Sequence, residues 1–109
     1  MSRRIVEVDV RFSIPRAELE REVAPLADPI AQVDGLHWKI WLINEAESRL
    51  GGVYLFEDEA SAAAYLSGPI VSQFAKHPAV SDIRVKQFDV MDELSAITRG
   101  PVYASVATA

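Results

Sequence analysis

Along the run Gly35-Leu36-His37-Trp38-Lys39-Ile40-Trp41-Leu42-Ile43, three residues able to do chemistry stand at alternate positions: His37, Lys39 and Trp41. A histidine can take a proton near neutral pH. A lysine can hold an anion, and a tryptophan offers a flat face on which an aromatic ring can stack. Tyr54 and Phe56 offer further ring faces, Arg11 and Arg84 further positive charge, and Asp9 a carboxylate that could serve as a base or orient His37. Together these types suit the removal of a proton from a weakly acidic ring and the holding of the anion that results. Each also has a plainer use. His37 is suited to a hydrogen-bonded structural role, Lys39 to pairing with Glu7 or Asp9 across strands, and Trp41 to anchoring an interface.

Other chemistries find less material. The chain has no cysteine, which excludes a disulfide framework, thiol catalysis and a Cys-ligated metal. His37 and His77 are far apart and form no His-x-His or His-x-x-x-His pattern, so no metal site is expected. There is no G-x-S-x-G motif, and Gly51-Gly52 is a lone pair before a strand rather than a phosphate loop. With 16 acidic against 11 basic residues the net charge is −5, the wrong sign for a nucleic-acid surface. Charges in Met1-Ser2-Arg3-Arg4-Ile5-Val6-Glu7 interrupt any secretion signal there. No apolar run approaches the roughly 20 residues that span a bilayer. The expected setting is therefore the cytoplasm, without membrane contact.

The elements that must position these residues follow from periodicity. Residues 4 to 12 alternate, with Val6, Val8, Val10 and Phe12 on one face and Ile5, Glu7, Asp9 and Arg11 on the other, which predicts a half-buried strand. Leu19, Val23, Leu26, Ala27 and Ile30 recur at helical spacing, but Pro25 and Pro29 fall among them. A kinked helix or two short pieces is expected over about 16 to 33, with Asp34-Gly35 as the stop. The run from Gly35 to Ile43 and a second, Gly51 to Phe56, form a hairpin joined by an acidic loop, Asn44 to Leu50. Asp58 is placed to cap an alanine-rich helix ending at Leu66. Ile70 to Ala75 forms another short helix, Asp82 to Val90 a last strand, and Glu93 to Arg99 a helical turn.

The order strand, helix, strand, strand, helix, strand predicts an α+β, ferredoxin-like βαββαβ domain over residues 1–99. Its four-stranded antiparallel sheet carries both helices on one face, and a small-residue tail, 100–109, follows. Alternation in the hairpin places Leu36, Trp38, Ile40 and Leu42 toward the helices and His37, Lys39, Trp41 and Ile43 on the free face. The third strand adds either Tyr54 with Phe56 or Val53 with Leu55 to that free face. Such an apolar area is rare on a monomer. About 600 Å² of apolar burial per subunit would be worth about 15 kcal/mol before association costs. A homodimer with its sheets face to face is expected, enclosing a chamber.

Trp38-Lys39-x-Trp41, Gly51-Gly52-x-Tyr54-Leu55-Phe56-x-Asp58-Glu59, Ala64-Tyr65-Leu66 and Phe88-Asp89-Val90 together resemble the YdhR family of monooxygenases over about residues 5 to 98. That family is similar to the dimeric α/β-barrel superfamily, which includes the antibiotic-biosynthesis monooxygenases. The resemblance implies pairing of two chains into a dimeric α/β barrel. It also implies a cofactor-independent monooxygenase that joins molecular oxygen to a small aromatic substrate of the quinol or anthrone kind. In that scheme His37 and Asp9 are the catalytic candidates, and Lys39, Trp41, Tyr54, Phe56, Arg84 and Arg11 bind substrate. Heme-degrading relatives use a helical histidine with an Asn and a Trp, and His77 has no such companions here. A non-catalytic small-molecule-binding or accessory dimer, and an isomerase or decarboxylase on the same scaffold, are the alternatives.

Overall fold

The structure, a computed structural model, describes residues 3–102. Strand β1 (Arg4–Phe12) lies between β3 (Arg49–Phe56) and β4 (Val80–Asp89), and β2 (Leu36–Asn44) flanks β3. The order β2-β3-β1-β4 is antiparallel throughout. This is the ferredoxin-like sheet that the element order predicts.

The first helical segment breaks where the prolines fall. Helix α1 (Arg16–Val23) gives way to a 3₁₀ turn over Ala24–Leu26 that contains Pro25, and α2 (Ala27–Ala31) follows. Pro15 precedes α1, where a missing N–H costs nothing. Helix α3 (Glu59–Leu66) is capped as expected: the Ser61 backbone N–H donates to Asp58 Oδ1 at 2.8 Å. Helix α4 (Pro69–Ala75) begins on its own proline, and α5 (Asp92–Ile97) follows β4.

The helices cover one sheet face. Val6, Tyr54 and Phe56 pack against Ile30, Ala62 and Tyr65, while Val10, Phe12 and Leu50 pack against Leu19 and Val23. The β1 alternation thus holds, and the open parity of β3 resolves with Tyr54 and Phe56 inward.

The hairpin departs from expectation in two ways. Its connection is four residues, Glu45 to Ser48, because Arg49 and Leu50 already pair with Asn44 and Ile43. It is closed by Ser48 at φ 55° and by the Glu47 N–H donating to Asn44 Oδ1, so it forms a tight turn rather than a projecting flap. The larger correction concerns β2. Leu36 pairs with Phe56, but Trp38 pairs with Leu55, so one extra residue, His37, is inserted between them. Beyond that bulge the faces exchange. Lys39, Trp41 and Ile43 stand opposite Tyr54, Gly52 and Leu50 on the helix side, and Trp38, Ile40 and Leu42 take the helix-free side.

Trp38 is therefore not core against the helices. Its Nε1–H donates to the Pro101 carbonyl at 2.8 Å, fastening the residues after α5 to the helix-free side. Pro101 and Val102 are thereby placed, and residues 103–109 of the expected tail lie outside the described residues. Among the described residues no helix is long and apolar enough to cross a membrane.

Candidate functional site

The exchange of faces in β2 builds a pocket between sheet and helices. Its floor is Lys39, Trp41, Gly52 and Tyr54 from the hairpin with Val8 and Val10 of β1, and its roof comes from α1 to α4. About 530 Å³ is free of protein atoms, counted out to the open mouth. Trp41 and Tyr54 give the lining flat ring faces.

Among the described residues Lys39 is the one basic side chain in the lining. Its Nζ sits 3.4 Å from the centroid of the Trp41 ring and 4.6 Å from that of Tyr54, a cation–π arrangement when the amine is charged. Removal from water disfavours the ammonium and lowers the pKa of Lys39 to about 7. Gly52 makes room for the lysine: a Cβ there would come within 2.6 Å of Lys39 Cε and 3.4 Å of its Nζ. Deeper in, the hydroxyls of Tyr54 and Tyr65 share a hydrogen bond of 2.9 Å. Burial pushes the ionisation of both above the usual tyrosine range, and for Tyr65 the bond to Tyr54 opposes that rise. The two rings are tilted with centroids 5.1 Å apart.

The structure brings together Lys39, Trp41 and Tyr54 of the residues singled out from sequence, and not the others. Phe56 is fully buried and stacks on Tyr54 at 5.9 Å, outside the lining. His37 is exposed at the bulge, because as the extra residue it is aimed out of the ladder. Asp9, Arg11 and Arg84 belong to the opposite face, since Asp9 pairs with Arg84 and Arg11 with Arg49 and Ser81 across the strands. There they line a polar cleft with Arg49. Arg49 grips Asp9 through Nε and Nη2 and reaches Asp82 through Nη1 at 2.9 Å. That guanidinium, with Arg84 beside it, holds the Asp82 carboxyl below its usual range. Asp9 is therefore not free to serve the pocket or to orient His37.

Tyr65, Gly52 and Arg49 went unassigned in the sequence. Tyr65 shares a helix face with Ala62 and carries the one polar tip there, which was its signal. His77 is structural: the Ala79 N–H donates to its Nδ1 at 3.0 Å, and Nε2 faces Glu22 at 2.8 Å. Among the described residues no group of three or more His, Cys, Asp or Glu side chains could hold a metal ion.

The family model described as "Putative mono-oxygenase ydhR" matches residues 5–101. The chain belongs to the YdhR family. No curated protein matches it in sequence. Solved structures similar to this YdhR-family chain include a protein of unknown function from Nitrosomonas europaea, 20% identical, covering 84% of this chain and 91% of that one with a TM-score of 0.70. SnoaB, a cofactor-independent oxygenase from Streptomyces nogalater, is 16% identical and covers 86% and 98% with a TM-score of 0.68. The heme-degrader MhuD from Mycobacterium tuberculosis, solved with two hemes in its active site, is 22% identical and covers 80% and 95% with a TM-score of 0.59. At these identities the likeness establishes a shared fold for this YdhR-family chain and leaves its chemistry to its own side chains.

Proposed function

We propose that this YdhR-family chain is a cofactor-independent monooxygenase. Its substrate is a small aromatic hydroxyl compound of the quinol or anthrone kind, bound in the pocket between sheet and helices of a homodimer. The observation that carries the reading is the placement of the Lys39 amine over the Trp41 face, beside the Tyr54–Tyr65 hydroxyl pair, in an otherwise apolar lining. Such a substrate, once ionised, can itself give electrons to oxygen, so no other reductant is needed. For an anthrone, one oxygen atom becomes the new ketone, and the other leaves as water with the two methylene hydrogens. The residues present supply what that chemistry asks of a protein: a largely apolar pocket, a ring face for stacking and a cation for the anion. The family description and the fold shared with a cofactor-independent oxygenase support the reading.

Oxygen consumption with a panel of anthrones and hydroquinones tests it. Uptake with wild type that falls at least about tenfold in Trp41→Ala is expected. The reading fails if no member of the panel draws oxygen. Ligands that raise Tm without oxygen uptake would instead support a non-catalytic binding protein.

A further inference from the structure

Neither group first suggested as a proton acceptor reaches the pocket, since His37 is exposed and Asp9 is held by Arg49 on the other side of the sheet. The pocket nevertheless contains one basic nitrogen. No carboxylate lines it, and the titratable groups that share it with Lys39 are the Tyr54 and Tyr65 hydroxyls, already bonded to each other. Every other lining residue from β1, β3, β4 and the helices is apolar. Among the described residues a charged Lys39 is thus held only by ring faces, and a neutral one keeps an unused lone pair.

We infer that Lys39 is the proton acceptor of this pocket, and that the pocket selects flat aromatic molecules carrying a weakly acidic phenolic or enolic hydroxyl, which it binds as anions against the Lys39 ammonium. The inference rests on the proposed reading only for where the substrate sits, and not on its oxygen chemistry. In the step, the ligand O–H bond breaks and its electron pair stays on oxygen. The Nζ lone pair forms the new N–H bond, and nothing is oxidised or reduced. The ammonium gains a true counter-ion in a water-poor site, where such a pair is strong. Because burial already brings Lys39 to a pKa of about 7, the amine is ready to accept the proton at neutral pH. Gly52 keeps the amine in place, since any side chain there would push the end of Lys39 aside.

The test uses 4-nitrophenol, whose anion is yellow, titrated in absorbance across pH with the folded protein in excess. With wild type, the bound probe is expected to ionise about one pH unit below the free probe, which is tenfold tighter binding of the anion than of the phenol. In Lys39→Met the bound probe should ionise above the free probe, because an apolar slot without a cation favours the neutral phenol. Gly52→Ala clashes most closely with the flexible end of Lys39, at 2.6 Å, and presses on the Tyr54 ring edge at 3.3 Å, so with a shift of a few tenths of an ångström there it should fold, displace the amine and move the midpoint back toward that of the free probe. A wild-type midpoint at or above that of the free probe, equal midpoints for wild type and Lys39→Met, or no binding would each overturn the inference. The two readings fail separately. Shifted midpoints with no oxygen uptake from any anthrone leave Lys39 as acceptor and sink the oxygenase. Uptake that proceeds at the wild-type rate in Lys39→Met keeps the oxygenase and sinks Lys39.

Discussion

At the scale of single residues, Lys39 is a cost to the fold that the pocket requires. Its pKa falls from 10.5 to about 7 on folding because burial strips water from the ammonium. Between those pH values the unfolded chain carries a proton that the folded chain lacks. Stability from this group must therefore rise with pH from about 7 to about 10.5, and below pH 7 the full penalty applies. Lys39→Met is expected to melt at a higher temperature than wild type at pH 6, with the difference shrinking as pH rises toward 10. Paired thermal melts across that range check the sign, and an advantage that grows with pH would contradict it. The Tyr54–Tyr65 pair makes a complementary prediction. Tyr54→Phe leaves the buried Tyr65 hydroxyl without its Tyr54 partner and should cost about 1–3 kcal/mol. The double change with Tyr65→Phe should cost clearly less than the sum of the singles. Denaturant melts of the four proteins measure that coupling.

At the scale of elements, the site depends on the register that β2 keeps from Trp38 onward. Without the bulge at His37, strict alternation from Leu36 would send Lys39 and Trp41 to the helix-free face. Yet the insertion itself is dispensable in a specific way. Deleting His37 lets Leu36 and the following Trp38 pair with Phe56 and Leu55 in an unbroken ladder, and every later residue keeps its partner. The deletion should therefore fold and keep the spectral response to 4-nitrophenol within about twofold. Deleting Ile40 would put one side of the strand out of register and should abolish that response. His37→Ala should change stability by no more than about 0.5 kcal/mol, as for an exposed side chain. Much of the fold was legible because local chemistry and global fold agree: β1 alternates cleanly, Pro25 breaks the first helix and Asp58 caps α3. The face of β2 was not legible, since a bulge leaves no mark in a run that carries large apolar residues on both faces. Gly51-Gly52 reads in sequence as a lone pair before a strand, and that it lies in β3 where it gives Lys39 its room is revealed only by the cross-strand register. Of the candidate site, three residues converge and five do not, and the bulge separates His37 from Lys39 and Trp41.

At the scale of the whole molecule, the exposed apolar groups have moved but have not gone. Ile40 and Leu42 of β2 are about half exposed on the helix-free face, and Phe88 of β4, which pairs with Ile5, joins them there. Met91, which caps α5, and Leu94 and Ile97 within it, spaced three apart, are more exposed still. Trp38 and Leu55 on that same face are sheltered, Trp38 in part by Pro101, so the residues after α5 cover one end and leave the rest bare. A soluble chain seldom leaves such an area open, and a twofold copy is the commonest cover. The homodimer proposed here therefore uses Ile40, Leu42 and Phe88 as its core, with α5 reaching toward the partner. Sedimentation should give a dimer at micromolar concentration. Ile40→Glu with Leu42→Glu would place two carboxylates in that contact and should yield a monomer, since a buried unpaired charge costs several kcal/mol. Both side chains point away from Lys39, so the 4-nitrophenol midpoint of the monomer separates a pocket complete in one chain from one that the second chain must finish.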